Sequence, residues 1–268
     1  MSAERSRYLA AYARLREREG RGSGGEAELL ALPYVTTGPL ASQWEVRART
    51  YDRFVGSVLA PCARAVAPRP LRVLDLGAGN GWLCYRLSLL GHRPVALDLR
   101  MDAVDGLGAA APYARHLPRV FERVAGSFED LPFRSRLFDV ALFNASLHYA
   151  ERLSGALVEA ARVVASGGRL AILDSPFYGR PETGEAMVQE RRRNTRRDLG
   201  DLAEDLLAVS SIEFLTRERL KEVGATLGLR FRRRRVFYPL WYEWRKAAAL
   251  LGRKRAPSRF DLWESRVP

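Results

Sequence analysis

Cysteine, histidine and methionine are scarce in this 268-residue chain, at two, three and three residues. Cys62 and Cys84 are too few for a metal cage or a disulfide framework, and His92, His116 and His148 share no ligand spacing, so no metal site is expected. Lysine is also rare: only Lys221, Lys246 and Lys254 stand among 44 basic residues. Such an arginine bias can arise from GC-rich coding without any selection for phosphate binding. No apolar run approaches the ~18 residues of a membrane span, and the opening MSAERSRYLAAYARLRERE lacks the apolar stretch of a secretion signal. A soluble, cytoplasmic protein is the expectation. Internal repeats and low-complexity tracts are missing as well. What is present is 47% apolar residues, enough for one large core and too many for a disordered chain.

The net charge of +13 invites a nucleic-acid reading until it is placed along the chain. Residues 1–70 hold 11 basic and 7 acidic side chains, residues 71–179 hold 12 and 11, and residues 180–268 hold 21 and 13. The middle is balanced, and the surplus belongs to the ends.

Residues 2–19 are polar and helix-favouring, and GRGSGGE after them breaks the helix, so the first 25 residues read as a loosely attached helix. A second helix is expected over roughly 41–60, where Trp44, Ala48, Tyr51, Val55 and Leu59 recur at helical spacing, closed by Pro61 and the Pro68/Pro70 pair. From Leu71 short apolar runs predict strands near 71–76, 94–99, 119–125, 138–144 and 169–174, with helices at about 81–90, 101–115 and 151–165 between them. Near-continuous apolar strands alternating with helices imply a parallel sheet covered on both faces. Gly167-Gly168 supplies a left-handed stop before the fifth strand. A charged helical stretch at about 182–208 and a helix capped by Thr216 follow. Two more strands, in LRFRRRRVFY and SRFDLWESRV, flank a Trp/Tyr-rich segment. The run Arg232 to Arg235 reads as an edge strand with solvated arginines.

The most specific feature is VLDLGAGNGW at 73–82, where Asp75 ends the first strand and glycines follow at 77, 79 and 81. Glycines in a strand–loop–helix let the backbone turn sharply and approach a ligand at a helix N-terminus. A dinucleotide turn needs G-x-G-x-x-G, and Trp82 occupies its last position.

With the residues that follow it, this loop resembles the class I S-adenosylmethionine-dependent methyltransferases, in particular the small-molecule group related to quinone-biosynthesis methyltransferases. The match continues through Asp98 in VALDL, GSFEDLPF at 126–133, FDVALFNASLHY at 138–149 and ARVVASGGRLAIL at 161–173, five motifs in order over roughly 71–175. The resemblance implies a Rossmann-like α/β fold with a seven-stranded, mostly parallel sheet of order 3-2-1-4-5-7-6, last strand antiparallel. It implies an N-terminal helix and flexible segment over 1–40 as a lid candidate and one domain over 41–268, with variable insertions at about 176–211 and 238–258. The implied cofactor is S-adenosylmethionine. Asp75 would organise the loop, and Gly77, Ala78 and Gly79 would line the methionine part. Asp98 would accept hydrogen bonds from the ribose hydroxyls, and Leu99 would pack on the adenine. Ser127 and Phe128 would meet the adenine edge, and Asn144 and Ala145 would sit beneath the methionine moiety. Many relatives carry Asp where this chain has Ser127, which leaves Glu129 or Asp130 as substitutes for pairing the adenine amino group. Tyr51 either points into the cofactor site or packs in the core.

If the methyl acceptor is protonated at working pH, a base is needed, and His148, four residues past the fourth strand, is the candidate; its alternative is a histidine satisfied in its loop or packing against the cofactor. Tyr149, Tyr34 and Tyr178 are secondary candidates for the acceptor pocket. Acceptor selection is expected in residues 26–50, 176–211 and 237–245. The aromatic cluster Phe237, Tyr238, Trp241, Tyr242 and Trp244 could wall an acceptor. With Arg245, Lys246, Arg253, Lys254 and Arg255 it could instead meet a membrane, or it could be an ordinary linker helix on the sheet edge. The expected activity is methyl transfer to a small-molecule or lipid-like acceptor. The alternatives are an RNA methyltransferase using the basic C-terminal region and a non-catalytic cofactor-binding relative. Nucleic acid is not the expected partner, since FNAS replaces the N/D-P-P-Y/F run of many base-amino methyltransferases.

Overall fold

The computed structural model describes residues 3–22, 25–252 and 255–268. The expectations on Ser23 and Gly24 of the breaker, and on Arg253 and Lys254 of the basic cluster, lie outside the described residues. The chain opens with α1 (Ala3–Arg18), α2 (Gly25–Ala31) and α3 (Ala41–Phe54). A π-helical turn, Val55–Leu59, joins α3 to α4 (Ala60–Val66). The helix therefore runs past Pro61, which does not close it: Pro61 stands in the first turn of α4, directly after the π-helical turn.

The central unit is β1 (Arg72–Leu76), α5 (Trp82–Leu89), β2 (Arg93–Asp98), β3 (Glu122–Ala125), β4 (Phe138–Asn144), α6 (Leu153–Val163) and β5 (Val164–Leu173). After it come β6 (Phe177–Tyr178), α7 (Pro181–Leu199), α8 (Leu202–Ala208), β7 (Leu215–Thr216), α9 (Arg217–Thr226), β8 (Arg232–Arg234), α10 (Leu240–Leu251) and β9 (Leu262–Arg266). Seven strands form one sheet in the order β3-β2-β1-β4-β5-β9-β8. β1 to β5 pair in parallel, and β9 runs antiparallel to both its neighbours. With β9 as the seventh strand and β8 as the sixth, this is the expected order, and β6 and β7 pair apart from it.

Strand alternation explains the continuous apolar runs. Leu74 and Leu76, Ala141 and Phe143, and Leu170 and Ile172 face one core, packed under α6 and α9. Val73, Val140, Leu142, Ala171 and Leu173 face the other, under α3 and α5. Both faces are dry at the centre of the sheet, so β1, β4 and the second half of β5 are apolar at nearly every position, whereas the edge strands β3 and β8 are not.

Three local expectations change. Residues 101–115 form no α-helix. The Asp102 carboxylate gathers the backbone N–H groups of Val104, Asp105 and Gly106 into a turn, and only a 3₁₀ helix, Leu107–Arg115, with Pro112 inside it, follows. Gly167-Gly168 does not precede the fifth strand but lies within it, at a register shift opposite Phe138 and Val140. A Cβ on Gly168 would lie 2.6 Å from the Asp139 carbonyl oxygen, so the pair permits a bulge. Finally, α1 does not hang free. It packs on α8 and is tied by Arg7–Asp205 at 3.3 Å and Arg5–Glu151 at 3.1 Å. Elsewhere Thr216 caps α9 by accepting from Arg219 N at 3.2 Å, and β8 is the edge strand, with Arg233 and Arg234 paired to Asp261 and Glu264. Among the described residues no helix is long and apolar enough to cross a membrane.

Candidate functional site

Between Leu76 and Trp82 the chain must leave a buried strand, turn and start a helix. Gly77, Gly79 and Gly81 do this at φ of +79°, +54° and +74°, the left-handed region that side chains disfavour. Gly77 is constrained twice, because a Cβ there would lie 2.5 Å from the Ser146 Cβ. The loop is pinned to β2: the N–H groups of Gly77 and Ala78 both donate to the Leu97 carbonyl, at 2.8 and 3.0 Å. The next donor, Gly79 N, reaches the Asp98 Oδ2 at 2.7 Å, and Arg100 N reaches the Oδ1 at 2.8 Å. Two backbone donors thus fix the carboxylate at the end of β2, and each oxygen keeps lone pairs for a further donor. Burial raises the pKa of Asp98, and the two backbone donors oppose that rise.

A cavity of about 1150 Å³, open mouth included, lies at the carboxyl ends of β1, β2 and β4. Gly77, Ala78, Gly79, Asp98, Leu99, Ser127, Phe128, Asn144 and Ala145 all line it. The Oδ1 of Asn144 is buried without a hydrogen-bond partner. Glu129 also lines the cavity, but its Oε1 accepts from Glu151 N at 2.6 Å, so it is already engaged with the start of α6; Asp130 does not line it.

Three expected residues lie elsewhere. Asp75 is fully buried behind the loop, with one oxygen accepting from the Cys84 thiol at 3.7 Å and the other unpartnered. Burial, reinforced by the Asp98 charge, pushes its pKa up to about 8, so at neutral pH it is largely protonated. Tyr51 is core: its ring meets Trp82 and Tyr34 edge-on at 5.7 and 6.3 Å. His148 does not line the cavity either, although Tyr149 does. Its Nδ1 is buried without a partner, and burial, with the charges of Arg191, Arg47 and Arg16, pulls its pKa down to about 3. Neither position nor basicity suits it to take a proton from an acceptor.

Residues 1–40 are the lid candidate and Tyr149 a pocket candidate, but the sequence does not single out the α1 residues that line the opposite wall. Arg5, Tyr8, Leu9, Tyr12 and Arg16 form one stripe of α1 that covers the cavity, joined by Arg21, Trp44, Arg47, Tyr149, Val209 and Ser211. The Tyr12 and Tyr149 hydroxyls hydrogen-bond at 2.8 Å, Arg16 Nε donates to Asp105 at 2.8 Å, and the Arg100 guanidinium stands 4.9 Å from the Tyr12 ring. Burial, with Tyr149 beside it, raises Tyr12 well above the usual phenol range. The stripe's spacing was a readable helix signal, but nothing local says which surface it covers. Tyr34 and Tyr178 bond to Asp52 and Arg255 instead, and neither lines the cavity. No residue of 237–245 reaches it: Tyr238 and Tyr242 are buried in the core, and Phe237, Trp241 and Trp244 are exposed.

Residues 74–172 match the family model described as "Methyltransferase domain". The chain is 33% identical over 177 residues to the malonyl-[acyl-carrier protein] O-methyltransferase of Methylococcus capsulatus, covering 60% of this chain and 61% of that one. It is 34% identical over 112 residues to the ubiquinone/menaquinone biosynthesis C-methyltransferase of a Ruegeria species, covering 41% and 44%. The chain thus spans less than two thirds of these relatives. Among solved structures, the YcgJ protein from Bacillus subtilis has a TM-score of 0.53 at 16% identity, over 78% of this chain and 95% of that one. The [4+2]-cyclase SpnF has a TM-score of 0.55 at 16% identity, over 82% and 80%. The match covers residues 74–172, and the sheet order agrees with that expected of a class I S-adenosylmethionine-dependent methyltransferase domain. That family's cofactor suits the residues present: an acceptor pair at Asp98, an unpartnered buried acceptor at Asn144, and a glycine loop without side chains between them.

Proposed function

We propose that this chain transfers a methyl group from S-adenosylmethionine to a small-molecule or lipid-like acceptor bearing an oxygen, nitrogen or carbon nucleophile. The observation that carries the reading is the Asp98 carboxylate, held by Gly79 and Arg100 N–H groups beside three left-handed glycines in one cavity. Asp98 accepts from the ribose hydroxyls, Leu99 packs on the adenine, and Ser127 with Phe128 meets its edge. Gly77, Ala78 and Gly79 leave room for the methionine part, and Asn144 receives its ammonium. Asp75, neutral behind the loop, holds it without touching the cofactor. The bound sulfonium supplies a methyl already activated for in-line displacement. What remains for the chain is to align the acceptor and exclude water, and residues 1–40 act as the lid that does so over a domain of residues 41–268. Val209 and Ser211 bring the 176–211 segment to the mouth of the cavity.

Both curated relatives are named for acceptors of this kind, methylated on oxygen in one case and carbon in the other. A lipid-like acceptor is also supported by α10, whose outward stripe of Leu240, Trp244 and Leu251 is exposed. Such a face suits a membrane surface. Calorimetric titration with S-adenosylhomocysteine tests the cofactor reading, with one site per chain expected, and absence of binding overturns it. Co-sedimentation with anionic vesicles, lost in a Trp244→Glu variant, tests the membrane contact; equal sedimentation of both proteins contradicts it.

A further inference from the structure

Five guanidinium groups line the cavity, and they are not equivalent. Arg5 pairs with Glu151 at 3.1 Å, Arg16 with Asp105 at 2.8 Å, and Arg100 with Asp102 at 2.9 Å. Arg21 and Arg47 make no ion pair among the described residues. Both stand over the ring of Trp44, at 5.5 and 4.9 Å from its centroid, so one indole holds two like charges close together. Arg21 is only 7% exposed. Its Nη2 donates to Gln43 Oε1 at 3.1 Å, and its Nε is buried without a partner. Arg47 makes no side-chain hydrogen bond among the described residues; Asp174 and Asp105 act on it only from beyond ion-pair distance.

A buried guanidinium costs several kcal/mol of hydration unless an anion or hydrogen bonds replace the water. Proteins pair such groups, as this one does with Arg16 and Arg100 in the same cavity. Burial, with Arg47 and Arg16 nearby, pulls the Arg21 pKa down to about 10, which still leaves it charged at neutral pH. Among the described residues the two charges therefore stand side by side with no carboxylate at ion-pair distance, Asp105 being engaged by Arg16 and Arg100.

We propose that Arg21 and Arg47, held on Trp44, form a carboxylate-binding subsite of the cavity. Paired guanidinium donors match the two oxygens of a carboxylate. The inference rests on the methyltransferase reading for the source of that group: the amino-acid end of the cofactor, or an acidic acceptor bound beside it.

The test compares wild type with Arg47→Gln and Arg21→Gln, using three probes in calorimetry. S-adenosylhomocysteine carries the carboxylate, 5′-methylthioadenosine is the same nucleoside without it, and malonate is added to protein saturated with S-adenosylhomocysteine. Methylthioadenosine is expected to bind all three proteins alike, which also shows that the variants are folded. If the cofactor supplies the carboxylate, S-adenosylhomocysteine binding falls about tenfold or more in both variants. If the acceptor supplies it, S-adenosylhomocysteine binding holds and malonate binding falls by that factor. Unchanged affinity for both carboxylate probes in both variants overturns the subsite. Should wild type bind neither nucleoside, the methyltransferase reading fails by itself. The subsite then stands if malonate binds the free protein and is lost in Arg47→Gln, and falls if it does not.

Discussion

On one side of the cavity the lining residues stand at the carboxyl ends of strands whose every neighbour is fixed by the sheet; on the other they stand on α1, on α3 and in the segments between. Asp98 is held by two backbone donors, Gly77 and Ala78 by one bond each to the Leu97 carbonyl, and Gly77 also by its close approach to Ser146. Tyr8, Tyr12 and Arg16 are held by side chains alone: a phenol pair, an ion pair and rings. The strand wall is therefore rigid and suited to a constant ligand. The helical wall can move by breaking a few side-chain contacts, as a wall that admits an acceptor and then excludes water must.

The comparison breaks most easily at Asp98. Asp98→Ala removes charge-assisted bonds of about 1.5–3 kcal/mol each, so S-adenosylhomocysteine affinity should fall by roughly a hundredfold or more in calorimetry. Asp98→Asn, which keeps one acceptor for the backbone, should fall less. Gly77→Ala forces a side chain into left-handed φ and into Ser146, and urea denaturation should show a loss of about 2–4 kcal/mol together with weakened binding.

On the other wall, Tyr149→Phe and Tyr12→Phe delete the bond between the two hydroxyls. Here S-adenosylhomocysteine affinity should stay within about threefold, because a single neutral hydrogen bond contributes only about 1 kcal/mol. Methyl transfer should suffer more than cofactor binding does, and a loss of binding as large as that of Asp98→Ala would erase the distinction between the walls.

The smallest effect on cofactor binding is expected from Asp75, whose replacement shows instead as a pH dependence of stability. Asp75 has a folded pKa near 8, above its unfolded value, so its contribution to stability is fully present at acid pH and is lost as pH rises towards and through 8. Asp75→Asn should therefore make urea stability at pH 8 closer to that at pH 5, by on the order of 1 kcal/mol or more, while leaving cofactor affinity nearly unchanged.

The same contrast explains what was legible in the sequence. β1, β2, β4 and β5 were readable because both faces are buried, and the glycine loop because left-handed turns need glycine. Asp98 and Asn144 follow from the family resemblance, which gives roles to residues at those strand ends. Tyr51 and His148 were readable as residue types near the site, but only the packing of Trp82 and the burial of the His148 ring decide where they point. The α1 stripe and the pairing of Arg21 with Arg47 over Trp44 depend on how separate segments meet in space, and no local period encodes that. The 101–115 stretch failed for a related reason, since one carboxylate, Asp102, outcompetes helical hydrogen bonding.

The central claim, that a strand wall binds the cofactor and a helical wall covers it, is tested most directly by a crystal structure of the chain with S-adenosylhomocysteine. The account predicts both ribose hydroxyls on the Asp98 carboxylate, the methionine part over Gly77 to Gly79, and α1 closed across the ligand. A nucleoside bound away from Asp98, or bound with α1 making no contact around it, would contradict that account.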